Sequence, residues 1–470
     1  MPNTYRGLAG AAFLALSAAS AHAAPAPSEA EKAEALDLLE TIVSTRTVKG
    51  QGQTGAMAEA LKARLVEAGF PEDAIDLPTM EIDGETVTAF VARYAAEGEP
   101  TAPPIAFLAH MDVVDASAET WSTTPFEPVV QDGYLYGRGA VDNKAGIGAL
   151  VSSFARLKES GWTPSRDLVL AFSGDEETGM NTTMMLTGHP WVRDAEYALN
   201  SDAGSGSAAS EDKPATFSIQ SAEKTYATYV LTAKNKGGHS SAPRPDNAIY
   251  DLAEALRRLE TLKFPVEFNE ITRGMAERMA ESAEPKEARA LRTLLKDPSN
   301  ERARKVIEES GLRAHFLSTT CVPTMLSGGS VENALPQRAS VTVNCRIMPG
   351  TDPAEVEAKL RETVANDAIE MKPLGARTQS PVSPINEPLF ASLTAAARSL
   401  YPDATVNPSM SSGGTDGREY RSQGIPTYGA GAIALGPDDH RAHGIDERVP
   451  LDTYYRQIEY WETLLKDLAG

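Results

Sequence analysis

Two apolar stretches that end in polar residues decide the fold class of this chain. Residues 104–112 read PIAFLAHMD, and residues 167–177 read DLVLAFSGDEE. Each apolar run has the length and composition of a strand that is buried on both faces. Between them, residues 144–160 space their apolar side chains as a helix does. The order strand, helix, strand predicts a parallel sheet with helices on its faces, in which functional groups lie at the carboxyl ends of the strands.

The remaining chain extends this α/β domain and interrupts it with a second one. Residues 28–67 have a helical pattern, residues 226–232 alternate like a strand, and residues 246–262 have the spacing of an amphipathic helix. Residues 270–310 are rich in Ala, Glu, Arg and Lys, which is typical of surface helices. We expect a mixed, largely parallel α/β sheet flanked by helices in residues 28–222 and 379–470, with an inserted α+β lid domain at residues 223–378.

The composition is that of a globular protein that avoids polyanions. A chain of 470 residues is long enough for two or three domains, and its 41% hydrophobic and 23% charged residues exclude a disordered or fibrous protein. The formal net charge of −21 would repel phosphate backbones. Nucleic acid is therefore not an expected partner.

The first 23 residues have the three parts of a signal peptide in order. Arg6 gives a positive start, Leu8 to Ala18 is apolar but too short for a membrane anchor, and Ala21-His22-Ala23 supplies a cleavage site. We expect export to the periplasm or secretion, without a membrane anchor. The alternative is a cytosolic protein with an Ala-rich start.

The two cysteines lie in strand-like segments. Export would allow Cys321 and Cys345 to form a disulfide across neighbouring strands. Two buried free thiols fit the sequence equally well.

Five short polar motifs carry residue types that bind metal. They are HMD at 110–112, GRGAVDNK at 137–144, GDEETG at 174–179, NSDAG at 200–204 and AHGIDE at 442–447. A His at a strand end can offer a neutral imidazole to zinc, and one carboxylate can bridge two metal ions. Taken singly, each motif has a plainer interpretation: His110 as a loop histidine, Asp142 as a helix N-cap, and the acidic run as a solvated turn.

Together the five motifs resemble, in order and over nearly the whole mature chain, the zinc-dependent M20 metallopeptidases. That family includes glutamate carboxypeptidases, carnosinase-like dipeptidases and N-acyl amino acid amidohydrolases. The resemblance implies two Zn²⁺ ions per chain, replaceable by Co²⁺ or Mn²⁺, and a peptide bond before Asn143 that is often cis. It implies that His110 and Asp202 bind one zinc, that Glu177 and His443 bind the other, and that Asp142 bridges them. It also implies that Asp112 orients His110 and that Glu176 is the general base. His440 forms H-x-x-H with His443, but Pro437 and Gly444 favour a loop, and the motif points to His443.

The same resemblance extends to the lid. The segment KGGHSS at 236–241 is similar to the family's lid motif, which implies that His239 stabilises the oxyanion, often from the partner subunit of a homodimer. Asn333 would be a second polar contact, and Arg346 would bind a substrate carboxylate, to which the turn with Gly414 and Thr415 would present backbone amides. The alternatives are a turn residue for Asn333 and a surface ion pair for Arg346.

The resemblance, together with the signal-like start, implies an exported two-zinc exopeptidase, a carboxypeptidase or dipeptidase that acts on short peptides. The close alternative is an N-acyl amino acid amidohydrolase, since the same centre serves both reactions. A catalytically silent relative that binds peptides is a third hypothesis, but the chain keeps Glu176 and all five ligand candidates. A serine hydrolase is disfavoured because the chain has no G-x-S-x-G motif.

Overall fold

The computed structural model describes residues 23–210, 213–312 and 315–470. The predicted signal peptide, apart from Ala23, lies outside these residues. The described part of the chain includes no helix long and apolar enough to cross a membrane.

The helices are α1 (Glu29–Ser44), α2 (Thr54–Glu67), α3 (Ala145–Glu159), α4 (Asn181–Thr187), α5 (Ala248–Glu260), α6 (Glu270–Ser282), α7 (Pro285–Lys296), α8 (Glu301–Glu309), α9 (Pro353–Val364), α10 (Glu387–Leu400), α11 (Gly417–Ser422) and α12 (Leu451–Ala469).

The strands are β1 (Ile75–Asp76), β2 (Thr79–Ile82), β3 (Glu85–Thr88), β4 (Phe90–Tyr94), β5 (Ile105–His110), β6 (Val129–Gln131), β7 (Tyr134–Tyr136), β8 (Leu168–Ser173), β9 (Tyr197–Asn200), β10 (Gly206–Ser207), β11 (Thr216–Glu223), β12 (Thr225–Lys234), β13 (Gly238–His239), β14 (Thr320–Gly328), β15 (Ala334–Leu335), β16 (Arg338–Ile347), β17 (Glu370–Leu374), β18 (Thr405–Ser411), β19 (Thr427–Gly429), β20 (Ala434–Leu435) and β21 (Arg448–Pro450).

The large sheet is mixed and largely parallel, as predicted. Its order is β1-β4-β8-β5-β9-β19-β11-β10-β20, with β18 paired to β11. The central strands β8, β5, β9 and β19 run parallel, with antiparallel neighbours on both sides. The two apolar stretches of the sequence, β5 and β8, are direct parallel neighbours, and α3 connects them.

Helices cover both faces of this sheet, which explains why residues 105–109 of β5 and 168–172 of β8 are apolar at every position. Leu170 and Phe172 of β8 pack into the core with α1, α2, α3 and α12. Val169 and Ala171, which point the other way, pack with Leu186 of α4 on the opposite face. A strand buried on both faces cannot alternate polar and apolar side chains.

A separate four-stranded antiparallel sheet, with helices packed against it, forms the second part of the fold. Its order is β14-β16-β12-β17, and α5 and α9 pack against it around Tyr229 and Leu360. Helices α6 to α8 surround a third cluster that includes Leu291 and Leu294. Cys321 of β14 and Cys345 of β16 face each other with their Cα atoms 4.0 Å apart and form a disulfide.

The helical pattern at residues 28–67 forms two helices. A capping box at Ser28 starts α1, and Thr45 ends it in an extended conformation. The loop before α2 includes Gly50 and Gly52, whose φ angles of +85° and +63° are left-handed. Both helices pack on the same core, from Ala35 to Val43 and from Met57 to Leu65.

Candidate metal centre

The five predicted ligands all lie at one edge of the large sheet. His110 ends β5, while Glu177 and Asp202 lie in the turns that follow β8 and β9. Asp142 lies in the turn before α3, and its peptide bond to Asn143 is cis. His443 comes from the loop between β20 and β21. Parallel neighbours end at the same edge, which brings together residues far apart in the chain.

The side-chain atoms of these five residues form a continuous cluster around Asp142. Its Oδ1 lies 2.9 Å from Nε2 of His110, and its Oδ2 lies 3.2 Å from Nε2 of His443. Asp202 Oδ1 is 3.5 Å from Nε2 of His110, and Glu177 Oε1 is 2.7 Å from Nε2 of His443. Asp142 therefore directs one oxygen to each of two groups, His110 with Asp202 and His443 with Glu177.

This donor set fits zinc. Two imidazole nitrogens and three carboxylates are the ligands that zinc accepts. One atom each from His110, Asp142 and Glu177 lies within 4.8 Å of the others, so the two groups meet closely at Asp142. Asn143 supports the arrangement, because its Nδ2 donates to Asp202 Oδ1 at 3.0 Å.

The pKa values of the clustered residues show that the three carboxylates favour positive charge on the two imidazoles. Burial would raise the pKa of Asp142, but hydrogen bonds from His110 and His443 hold that pKa well below its usual range. Hydrogen bonds to Asp142 and Glu177 raise the pKa of His443 to about 10. Burial lowers the pKa of His110, but the charge of Asp202 and nearby hydrogen bonds outweigh it, so this pKa is well above its usual value. The carboxylates thus hold protons on imidazoles that a metal ion would need neutral.

Glu176 lies beside this cluster, where its carboxyl group holds a proton unusually well. Burial raises its pKa well above the ordinary value, the charge of His110 opposes this, and the charge of Asp202 adds to it. A raised pKa is what general acid–base work near neutral pH requires of a glutamate.

Asp112 has a different set of contacts from the one expected of a residue that only orients His110. Its backbone oxygen lies 3.0 Å from Nδ1 of His110, whereas its carboxylate Oδ1 is 3.7 Å from that nitrogen. The carboxylate instead accepts the backbone N–H groups of Glu176 and Glu177, each at 3.0 Å. The main chain of Asp112 thus orients the imidazole, and its side chain holds the loop of the two glutamates.

Arg138 and Glu447, for which the sequence analysis assigned no role, join the ligand loops from opposite ends of the chain. The fully buried Glu447 accepts the N–H groups of Gly139, Val141 and Asp142 at 3.0, 2.9 and 3.1 Å. Arg138 donates to Glu447 at 2.5 Å and to the carbonyl of Gly444 at 3.1 Å. Both residues lie inside the motifs GRGAVDNK and AHGIDE, which was the signal that could have found them.

The lid residues form two groups. His239 is exposed in β13, which pairs with β15, and Ser240 N donates to the carbonyl of Asn333 at 3.0 Å. His239 Nδ1 lies 2.7 Å from Ser241 Oγ. Within residues 23–210, 213–312 and 315–470, no hydrogen bond or ion pair joins His239 or Asn333 to the five ligands.

Arg346 and the glycine-rich turn, in contrast, are brought together. Arg346 lies near the end of β16 with its guanidinium 4.6 Å from the centroid of the Tyr226 ring. Its Nη1 is 3.5 Å from the carbonyl of Ser412, in the turn with Gly414 and Thr415. The space above Gly414 is open, with nothing within 4 Å of a Cβ built there. A carboxylate recognised by an arginine and backbone amides could enter here.

Known proteins share both the sequence pattern and the fold. The model of peptidase family M20/M25/M40 matches residues 106–467. The mouse protein named N-fatty-acyl-amino acid synthase/hydrolase PM20D1 is 28% identical over 391 residues, which cover 81% of this chain and 77% of that protein. A probable carboxypeptidase S-like 2 from Dictyostelium discoideum is 26% identical over 77% of this chain and 72% of its own length. The solved structure of an M20 family metallo-carboxypeptidase, Sso-CP2 from Sulfolobus solfataricus, has a TM-score of 0.70 at 20% identity and covers 92% of this chain and 98% of that one.

Proposed function

This chain belongs to peptidase family M20/M25/M40, and on that premise we propose that it hydrolyses the amide bond of N-acyl amino acids with a free carboxylate. The observation that carries the proposal is the pairing of a convergent His and carboxylate cluster with an arginine beside an open turn. The acyl preference is supported by similarity to the mouse protein named as an N-fatty-acyl-amino acid synthase/hydrolase.

We propose two zinc ions as cofactors, with Co²⁺ or Mn²⁺ as substitutes. His110 and Asp202 would hold one, His443 and Glu177 the other, and Asp142 both, since its two oxygens face the two groups. When bound, zinc polarises a scissile carbonyl and lowers the pKa of a water molecule.

The chain's own residues would bind the substrate and move the proton. Arg346 and the turn at 412–415 would hold the substrate carboxylate, which places the amide on one side of the amino acid's Cα. Glu176 would accept a proton as the water oxygen bonds to the carbonyl carbon, and would deliver it to the nitrogen as the C–N bond breaks. Asp112 keeps Glu176 and Glu177 in place through their backbone N–H groups.

A substrate screen on the zinc-loaded protein tests this proposal. We expect release of the free amino acid from N-acyl amino acids and little release when the carboxylate is amidated. Glu176→Ala should lose turnover by at least about a hundredfold while it retains zinc. Turnover of amidated and free substrates at equal kcat/KM, or near wild-type turnover in Glu176→Ala, would overturn it.

A carboxypeptidase or dipeptidase activity is the second candidate. It is favoured by the similarity to the Dictyostelium and Sulfolobus proteins, which are named as carboxypeptidases. In the same screen, faster cleavage of unblocked dipeptides or N-blocked peptides than of N-acyl amino acids would select this candidate.

A homodimer through the lid is a further part of the proposal. The strand β14 is at the edge of its sheet and is exposed from Val322 to Gly328, with Met325 and Leu326 more than two-thirds exposed. An exposed apolar edge strand is normally covered in the native state. A second copy that covered it could supply His239 to the neighbouring site. Light scattering should give the mass of two chains, and the variant with Met325→Lys and Leu326→Lys should give one. A wild-type monomer at assay concentration would refute this.

Export is proposed from the signal-like start and is supported by the disulfide, which persists in oxidising compartments. The first residue after the predicted cleavage, Ala24, is buried, and its backbone N donates to Thr463 Oγ1 at 2.8 Å. After cleavage this nitrogen would be the terminal amine, with Thr463 Oγ1 within reach as its hydrogen-bond partner. N-terminal sequencing of the protein from the periplasm or medium should begin at Ala24, and an intact Met1 would contradict the proposal.

A further inference from the structure

Two consecutive buried charges mark the point where the chain passes from the large sheet to the smaller one. Glu223 ends β11 and Lys224 follows it directly before β12, and both are at most 1% exposed. Lys224 Nζ donates to the carbonyls of His315 and Ser318, each at 2.6 Å. Burying a full charge costs several kcal/mol unless partners compensate it. We therefore expect each of these two charges to have specific partners that compensate its burial.

Glu223 points away from Lys224, into a cluster on the large-sheet side. Its Oε1 is 3.1 Å from Nη1 of Arg421, an ion pair whose geometry is not that of a hydrogen bond. Its Oε2 accepts from Thr415 Oγ1 at 3.0 Å and from Gln220 Nε2 at 3.2 Å. Burial raises the pKa of Glu223 and the charge of Arg421 opposes this.

The returning chain segment meets the same cluster. Ser380 donates from its backbone N to Thr225 Oγ1 at 3.0 Å, and its hydroxyl lies 3.4 Å from Glu223 Oε1. Arg421 Nε donates to Ser383 Oγ at 3.1 Å. Both segments that connect the two sheets are thus tied to one buried acid–base pair.

Thr415 connects this buried cluster to the candidate substrate-binding turn at residues 412–415. Because its hydroxyl proton is committed to Glu223, the oxygen can accept from Gly417 N, which lies at 3.2 Å. Three residues before Thr415, the carbonyl of Ser412 lies against Arg346. Glu223 is therefore two contacts away from the arginine that would bind the substrate carboxylate.

We propose that Glu223 is a positioning residue that holds the turn at residues 412–415 against Arg346 through the hydroxyl of Thr415. Its effect on substrate rests on the proposed function, whereas its effect on the turn does not. Loss of the hydroxyl should leave Glu223 paired with Arg421 and free the turn.

Thr415→Val tests this, because it keeps the shape of the side chain and removes only the hydroxyl. In the folded, zinc-loaded protein we expect the backbone amides of residues 412–416 to exchange hydrogen about tenfold faster, as the loss of the bond from Thr415 to Glu223 predicts. The amide of Gly417 is not part of this test, because Thr415→Val also removes its own acceptor. KM for N-acyl amino acids should rise by a similar factor while kcat changes less than about twofold. Thr415→Ser, which retains the hydroxyl, should retain slow exchange.

Two further variants make the result specific. In Glu223→Gln the one remaining oxygen should face Arg421, which places the NH₂ group against Thr415 and removes the acceptor of its hydroxyl proton. Exchange in the same turn should therefore speed up, and adding Glu223→Gln to Thr415→Val should produce no further acceleration at residues 412–416, because both remove the bond from Thr415 to Glu223. Thr463→Val removes a buried hydroxyl that bonds Glu459 and Ala24, far along the chain, and should leave the turn unchanged. Wild-type exchange in Thr415→Val would overturn the inference. If the wild-type protein cleaves no N-acyl amino acid, the proposed function fails, and the exchange measurement still decides this inference.

Discussion

Glu447→Gln should weaken zinc binding although Glu447 is not a candidate ligand. One oxygen of Glu447 accepts from Val141 and Asp142, and a glutamine oxygen could still do so. The other accepts from Gly139 N and Arg138 Nη1. In the variant an NH₂ group would face these two donors, which leaves a buried guanidinium without its counter-charge.

The size of the effect follows from these contacts. Removing one partner of a buried ion pair costs about 3–5 kcal/mol, and the lost bond from Gly139 is part of the same disruption. The substitution loosens the turn that carries Asp142. Arg138 also holds the loop of His443 through the carbonyl of Gly444. Metal affinity should therefore fall about 10–100-fold.

Urea unfolding and competition with a zinc chelator measure the two effects separately. Glu462→Gln is the matched control, since Glu462 is 3% exposed and pairs with Arg156, between α12 and α3. It should lower stability, by less than Glu447→Gln because Arg156 keeps its ion pair with Glu31 at 3.0 Å, and leave zinc affinity within about twofold of wild type. Equal zinc affinities in the two variants would refute the reasoning that Glu447 positions the ligand loops.

Four other predictions concern the metal cluster, Arg346 and the disulfide. Zinc binding at pH 7 should release at least one proton per chain, because the pKa of His443 is raised to about 10 and its imidazole must be neutral to bind the metal; calorimetry in buffers of different ionisation enthalpy measures this, and no release would contradict it. Because the pKa of His443 is higher in the folded protein, its protonated imidazole stabilises the metal-free fold. This stabilisation is complete below the ordinary pKa of 6.5 and disappears as the pH rises through about 10. Arg346→Ala should raise KM at least about tenfold for substrates with a free carboxylate and not for amidated ones, and an equal rise for both would exclude carboxylate binding. Reducing the bond between Cys321 and Cys345, 24 residues apart, should lower the free energy of unfolding by about 3 kcal/mol, and an unchanged urea midpoint would contradict that.

The sequence was most informative where local composition and position agree. The runs at β5 and β8 are apolar throughout because both faces are covered, and this is visible without any knowledge of neighbours. His110 and Glu177 could be proposed because they follow those runs directly. The break between α1 and α2 had a signal in Gly50 and Gly52, which the helical prediction over residues 28–67 did not use.

Contacts between distant residues could not be read from the sequence. Arg138 and Glu447 are 309 positions apart, and only the folded sheet brings them together. The proposed positioning role of Glu223 could not be predicted either, because a single acidic residue at the end of a strand gives no indication of which residues it contacts. Arg346 was found through resemblance to a family, while its contact with the carbonyl of Ser412 needed the fold.

The acids in the motifs divide into two classes by what already occupies their oxygens. Asp175 accepts from the backbone N–H groups of Asn181 and Thr182, each at 2.8 Å, and from both of their side chains. The carboxylate oxygens of Asp112 and Glu447 likewise accept hydrogen bonds from backbone N–H groups. A carboxylate whose lone pairs are so engaged is poorly placed to bind a metal ion.

Glu177, in contrast, directs an oxygen at His443 and so remains available as a ligand. This distinction explains why a run of three acids, Asp175 to Glu177, can serve three ends: Asp175 orders the turn, Glu177 faces the metal cluster, and Glu176 keeps a raised pKa beside it. Asp175→Asn should therefore act like Glu447→Gln, lowering zinc affinity through the loop while every proposed ligand stays in the chain. If Asp175 were itself a ligand, Asp175→Asn would remove one bound zinc, and metal analysis under saturating zinc would show the lower stoichiometry.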